Sequence, residues 1–170
     1  MPSLLSTDPL GIYLQDHLAG ATAGLELIER ARRNNEGTEL GDALGTLAAE
    51  IRSDRETLLG VMRDVGVPPS RVKIAVAWAS EKARRLKPNG SLVGYTPLAR
   101  VEELESLALG IAGKRALWRL LERLDAAGRP VGTRDYGALA ERAQAQLDTV
   151  EALRVQAGEA AFVAAAPARA

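Results

Sequence analysis

The sequence predicts an all-α protein: a four-helix bundle in which a helical crossover joins the second and third long helices. Aliphatic residues recur in steps of three and four over four long segments, as on the buried face of a bundle helix. Short turns within the first and last pairs of segments predict two antiparallel hairpins. The stretch of about 30 residues between the two pairs is long enough to run back along the full length of a bundle. This is the ferritin-like arrangement, and a five-helix up-down bundle is the alternative.

The first two long helices are predicted from Asp8 to about Arg33 and from Thr38 to Gly66. Asp8 precedes a proline, which needs no amide partner in a first turn, and Gly66 suits a left-handed C-cap. Asp54 interrupts the apolar seam of the second helix. The apolar seam positions are Leu14, Leu18, Ala21, Leu25 and Ile28 in the first helix, and Leu40, Leu44, Leu47, Ile51, Leu58, Val61 and Val65 in the second.

A shorter helical segment is predicted from Ser70 to the KPNG sequence at residues 87–90. It is locally basic and has an apolar side, so we interpret it as a crossover helix packed on the bundle with its charges in water. The alternative is an anion-binding helix that recognises nucleic acid or a membrane surface. Its basic residues are Arg71, Lys73, Lys82, Arg84, Arg85 and Lys87.

The last two long helices are predicted from Thr96-Pro97 to about Gly128, and from Thr133 onward. Lys114 interrupts the apolar seam of the third long helix. The apolar seam positions are Leu104, Leu107, Ile111, Trp118, Leu121 and Leu124 in the third long helix, and Leu139, Ala143, Leu147 and Val150 in the fourth. We expect one domain over residues 1–170, with a flexible alanine-rich tail from about residue 160 to residue 170.

The composition excludes several classes of site. The 170 residues contain no cysteine, which rules out disulfides and thiolate sites and is compatible with a reducing cytoplasm, where we expect the protein to work. Basic and acidic residues balance at 22 each, without the cationic excess of a strong nucleic-acid binder. No window approaches about 18 uncharged apolar residues, and no basic leader begins the chain, so we expect neither a membrane span nor a signal peptide.

Three stretches carry a resemblance to a known family. They read YLQDHLAGATAGLEL, AAEIRSDRETL and KPNGSLVGYTPLARVEELESLALGIAGKRALW. Together they resemble a family of uncharacterised bacterial proteins with a ferritin-like bundle, over roughly residues 10 to 160. The resemblance implies the fold and implies no particular activity.

A standard di-iron site is not expected. Such a site needs a Glu-x-x-His motif on each of two helices, plus a Glu from each of the other two. His17 is the only histidine, and the residue three positions before it is Leu14. A carboxylate-only site for Mg²⁺, Mn²⁺ or Ca²⁺ is the alternative. Its candidate ligands are Glu50, Asp54, Glu102, Glu105, Asp148 and Glu151.

Asp54 lies on an apolar seam, where a bare carboxylate would be costly. We therefore expect a buried pair between Asp54 and either Lys114 or Arg115, and we hypothesise that this pair fixes helix register.

His17 shares a helix face with Tyr13, Gly20 and Gly24. Glycine costs about 1 kcal/mol relative to alanine inside a helix, so close approach of another helix, from this chain or a second subunit, is expected to compensate. For His17 we expect a hydrogen-bonded structural role, because no catalytic partners are suggested nearby.

These observations favour a non-enzymatic helical scaffold or interaction protein. The expected partners are further copies of the chain in a homo-oligomer. No catalytic residue, cofactor or metal ligand is assigned. The two alternatives are the carboxylate metal-binding protein and the anion-binding protein described above.

Overall fold

The computed structural model describes residues 8–69 and 95–163, and within these ranges the chain is helical, without strands. The elements are α1 (Pro9–Asn34), α2 (Glu39–Asp64), α3 (Pro97–Ala126) and α4 (Tyr136–Phe162). In the part of the chain so described, no helix combines the length and the apolar character needed to cross a bilayer. The predicted crossover helix and its basic surface lie outside the described residues.

The predicted caps of α2 and α3 are confirmed. The Oγ1 atoms of Thr38 and Thr96 accept hydrogen bonds from the third amide of their helices, each at 3.1 Å. Gly66 and Gly128 follow the two helices with φ values of +72° and +78°, the left-handed conformation that glycine adopts most readily. Asp8 occupies the N-cap position of α1, but its carboxylate makes no capping bond and accepts instead from Arg129 at 3.3 Å.

The predicted N-cap of the last helix was wrong by two residues. Asp135, not Thr133, is the N-cap, and its Oδ1 accepts from the amide of Ala138 at 2.9 Å. The buried Tyr136 fixes this start, because its hydroxyl donates to the carbonyl of Val131 at 2.5 Å. The helix then continues to Phe162, so residues 160–162 are helical and were wrongly assigned to the tail.

α1 runs antiparallel to both α2 and α3. The side chain of Gln15, early in α1, donates to the carbonyl of Pro68 just after α2, at 3.1 Å. Arg30, late in α1, pairs with Glu103, early in α3, at 2.9 Å. Because α2 and α3 both oppose α1, they run in the same direction.

α4 packs closely along α3 and more sparsely along α2. It opposes α2, since Arg134, before α4, pairs with Asp64 at the end of α2. The four helices therefore form two antiparallel hairpins side by side. The ferritin-like bundle and the five-helix up-down bundle both predict that α2 and α3 run in the same direction, so this finding does not distinguish them.

The core is aliphatic, as the composition predicts, and the seams supply most of it. The predicted positions in α2 and α3 are almost all buried, including Leu44, Leu58 and Leu121. In α1, by contrast, Ala21 and Leu25 are only partly buried. Ala21 faces an open pocket, described below.

Candidate functional site

A pocket of about 510 Å³ lies between α1, α2 and α3. Its walls are chiefly apolar side chains and glycines, with a few polar groups among them. From α1 it is lined by Tyr13, Asp16, His17, Gly20, Ala21 and Gly24, from α2 by Ile51, Asp54, Arg55 and Leu58, and from α3 by Ser106, Leu107, Gly110, Ile111, Gly113, Lys114, Leu117 and Trp118. The volume and the mixture of apolar walls with few polar groups are typical of small-molecule sites.

Glycines from two helices line this pocket. Gly20 and Gly24 belong to α1, and Gly110 and Gly113 belong to α3. Apart from the two chain neighbours and the surrounding backbone of the same helix, no described atom lies within 4 Å of the position where a Cβ would stand at any of the four. No described helix therefore packs closely on Gly20 and Gly24. Close packing by the predicted crossover helix, which lies outside the described residues, or by a second subunit stays a prediction.

His17 lies on the α1 wall, on one face with Tyr13 and the two α1 glycines, as predicted. It packs edge-to-face on Tyr13, with ring centroids 4.4 Å apart. The expected hydrogen bond is not found among the described residues; the ring contact takes its place. Burial lowers the pKa of His17 below its ordinary value, and the nearby Asp16 carboxylate opposes this only in part. The imidazole is therefore neutral at pH 7.

A polar cluster around the buried Asp54 and Gln146 joins three helices, and its members Asp54 and Lys114 line the pocket. We define it as Glu50 and Asp54 of α2, Lys114 of α3, and Arg142 and Gln146 of α4. Lys114 Nζ donates to Asp54 Oδ2 at 2.5 Å and also to Gln146 Oε1. Arg142 donates to Asp54 Oδ1. The predicted buried pair of Asp54 with Lys114 is confirmed.

Gln146 completes the cluster. Its Nε2 donates to Glu50 Oε2 at 2.9 Å and to Asp54 Oδ2 at 3.1 Å. Both Asp54 and Gln146 are 2% exposed. The cluster therefore bridges α2 and α4, whose backbones make few close contacts. Arg115, the other candidate partner of Asp54, donates to Gln144 instead.

Lys114 belongs to the polar cluster and also lines the pocket. Burial is the main influence on its pKa and lowers it below the ordinary lysine value, while the Asp54 carboxylate acts in the opposite direction. A lysine ammonium has three protons to donate. Two have acceptors, Asp54 and Gln146, and within the described chain no acceptor is found for the third.

Trp118 lies one helical turn beyond Lys114 on the same wall. Its indole is 1% exposed and stacks on Tyr136 of α4, with ring centroids 6.3 Å apart. The indole Nε1 is buried and has no hydrogen-bond partner among the described residues.

Of the candidate metal ligands, Glu50 and Asp54 lie together, where both accept from Gln146. Within residues 8–69 and 95–163, no three histidine or acidic side chains converge on a position that could hold an ion. Glu102, Glu105 and Asp148 are exposed, and Glu151 pairs with Arg154 at 2.8 Å. The oxygens of Asp54 are taken by three donors from α3 and α4.

Sequence reasoning missed the α4 half of the cluster and the α3 half of the pocket. Gln146 sits three residues after Ala143 and four before Val150, so its seam position was readable in the sequence. Gly110 and Gly113 repeat the paired glycines of α1, which was the available signal for the second wall.

Comparisons with protein-family models, with curated proteins and with solved structures found no match to this chain. The resemblance to a ferritin-like bacterial family stays a prediction, and the site has to be interpreted from its own chemistry.

Proposed function

We propose that this protein is a non-enzymatic helical bundle that binds a small, mainly apolar molecule in the pocket between α1, α2 and α3. The observation that carries the proposal is the placement of Gly20, Gly24, Gly110 and Gly113 around that pocket with no described atom near their missing side chains. The proposal refines the scaffold or interaction role expected from the sequence, since the partner is now a small molecule.

The four glycines lower the stability of the helices that contain them. Each glycine inside a helix costs roughly 1 kcal/mol relative to alanine, because the unfolded backbone loses more freedom on folding. None of the four sites needs a glycine for close packing against the described residues, and none has a positive φ value. A fold that gives up several kcal/mol around one cavity is better explained by a use for the cavity than by folding requirements.

Binding of an apolar molecule fits the walls of the pocket. The buried acid, Asp54, has both oxygens engaged by Lys114, Arg142 and Gln146. His17 packs edge-to-face on Tyr13, an arrangement that supplies a polarisable wall for an apolar ligand.

We propose further that the bundle is ferritin-like, that it works in the cytoplasm and that it forms a homo-oligomer. The parallel α2 and α3 support a crossover that returns along the bundle. A spin-label distance between residues 80 and 17 would test the crossover, and native mass measurement would test the assembly. The anion-binding alternative depends on residues outside the described ranges and is tested by salt-dependent retention on DNA or anionic liposomes.

The pocket itself can be tested with the neutral fluorophore N-phenyl-naphthylamine, whose emission rises in apolar surroundings. We expect saturable binding of one molecule per chain. Gly24→Leu and Gly113→Leu place a branched side chain in the pocket and should each abolish that binding. Both positions lack described neighbours within 4 Å, so the variants should fold.

Ala116→Leu is the matched control, because Ala116 is exposed on α3 and does not line the pocket. It adds similar apolar surface and should leave binding unchanged. Absence of binding to the unmodified protein, or equal binding by the Gly24→Leu and Gly113→Leu variants, would show that the pocket is not a ligand site.

A further inference from the structure

We propose that two copies of the chain form a twofold-symmetric dimer through the outward face of α3, with the two α3 helices antiparallel. The inference rests on the homo-oligomer proposed above and names its interface, and it does not depend on the small-molecule ligand. We call this surface the α3 outer face. It consists of Leu98, Glu105, Leu109, Ala116, Arg119 and Leu120, all of which are exposed and none of which lines the pocket.

Three leucines form an exposed row along α3. Leu98, Leu109 and Leu120 are 42%, 71% and 41% exposed. Their spacing of 11 residues is close to three full turns, so the three side chains lie on one line along a straight helix. The buried Ile111 and Trp118 belong to the opposite side of the helix. The row therefore gives α3 an outward apolar surface that the described part of the chain does not cover.

Two charges of opposite sign lie beside this row, at equal distances from the middle of α3. Glu105 is seven residues before Ala112, and Arg119 is seven residues after it. Neither makes an ion pair within the described residues, and Arg154, the cation of α4 that lies near Glu105, donates to Glu151 instead. The helix dipole acts mainly within the first and last turns of a helix. Both charges lie farther than that from the ends of α3, so the dipole does not explain their order.

A twofold axis level with Ala112 and perpendicular to α3 makes the face complementary to itself. The axis reverses the second helix, so Glu105 of one chain lies opposite the partner's Arg119, and the same contact occurs twice. These two positions are 14 residues apart, close to four turns, and therefore lie on the same side of the leucine row. Within one residue of this register, Leu109 lies opposite the partner's Ala116, a large side chain against a small one. Parallel packing would bring Glu105 against its own copy, so the charges favour the antiparallel dimer.

The size of the face sets the expected strength of the dimer. The 30 residues of α3 form a helix about 45 Å long and about 10 Å wide. One such face offers roughly 450 Å², less than the roughly 800 Å² per partner of a standard interface. We therefore expect a reversible dimer that dissociates on dilution through the micromolar range.

Sedimentation equilibrium of the full chain over that concentration range tests the interface. The mass should rise toward twice the 18.1 kDa of one chain. Leu109→Glu places a charge at the centre of the face and should weaken dimerisation at least about tenfold. Because Leu109 is exposed and does not line the pocket, the variant should fold and still bind N-phenyl-naphthylamine. Ile12→Glu is the matched control, since Ile12 is 41% exposed on α1, and it should leave the dimer unchanged.

Charge exchange tests the antiparallel register. Glu105→Arg and Arg119→Glu each place like charges opposite one another twice in the dimer, and each should weaken dimerisation by about fivefold. The double variant restores opposite charges across the axis and should dimerise within about twofold of the unmodified chain. A double variant that dimerises no better than either single variant would overturn the register.

The outcomes separate this inference from the proposals on which it rests. If the chain assembles and Leu109→Glu assembles as strongly as Ile12→Glu, the homo-oligomer stands and the α3 interface is overturned. If the unmodified chain stays monomeric at every concentration, the interface and the homo-oligomer are both overturned. Binding of N-phenyl-naphthylamine then still decides whether the pocket is a ligand site.

Discussion

The four pocket glycines give the sharpest test of the physical reasoning. Replacing each of Gly20, Gly24, Gly110 and Gly113 with alanine adds one methyl group at a point with no described neighbour within 4 Å. The change restores helix propensity, so each variant should be more stable by about 0.5–1 kcal/mol. For a chain of 170 residues this corresponds to a melting temperature higher by up to about 2–4 °C.

Gly41 is the matched control, because it is a helical glycine that does have a neighbour. A Cβ at Gly41 would overlap the carbonyl oxygen of Asn35 and lie 2.9 Å from its carbonyl carbon. That backbone forms the turn before α2 and cannot swing aside as a side chain can. Gly41→Ala should therefore destabilise the protein by about 1–3 kcal/mol.

Urea unfolding followed by circular dichroism measures both sets of variants on one scale. We expect changes of opposite sign: higher unfolding midpoints for the four pocket variants and a lower midpoint for Gly41→Ala, with similar slopes. A loss of stability at the pocket positions would mean that something outside the described residues already packs on these glycines. That result would refute the argument that the pocket is kept open for a ligand.

Two further predictions concern stability. The pKa of His17 is lowered in the folded state, so the unfolded chain binds a proton more readily below pH 6.5. The free energy of unfolding should therefore fall as the pH drops from 6.5 toward the folded-state pKa. His17→Gln should lose that part of the pH dependence, measured by urea unfolding from pH 7.5 to about 5. Tyr136→Phe should destabilise the protein by about 1–3 kcal/mol by leaving the buried Val131 carbonyl without its donor, and a variant as stable as the parent by calorimetry would contradict the assigned role of that hydroxyl.

Much of the fold could be predicted from the sequence because helix caps and seams are local signals. Thr38 and Thr96 cap through their own side chains, and Gly66 adopts a conformation set by its lack of a Cβ. The start of α4 was missed because Asp135 and Thr133 are both good caps. What decides between them is the burial of Tyr136, a tertiary effect that spacing does not show.

The pocket could not be predicted in the same way, because it depends on where two helices fail to meet. The paired glycines of α1 correctly indicated an unusual helix face, but small residues permit either close approach or an opening. The choice depends on the larger side chains around them, such as Tyr13 and Trp118. The unpaired indole N–H is likewise a property of the assembled helices and has no sequence signal.

The Asp54–Lys114 pair now allows a stronger prediction than the sequence did. If the pair did no more than fix helix register, replacing Asp54 alone with Leu would leave the protein folded. In the structure that replacement leaves Lys114, Arg142 and Gln146 without a shared acceptor. Leaving a buried charge unpaired costs about 3–5 kcal/mol, a large part of the stability of a single domain.

Removing both charges tests whether the pair stabilises the fold or specifies it. Asp54→Leu with Lys114→Met replaces the pair by apolar side chains and should recover most of the loss, since buried ion pairs are often no better than well-packed hydrophobic groups. The double-mutant cycle should therefore give a coupling of at least about 1 kcal/mol. If the pair also fixes register, the double variant keeps its helical circular dichroism but loses dispersion in its amide NMR spectrum, because an apolar interface permits α2 and α4 to slide. A coupling energy near zero would mean that Asp54 and Lys114 contribute independently to stability. A well-dispersed amide spectrum of the double variant would mean that the leucine seams alone fix the helix register.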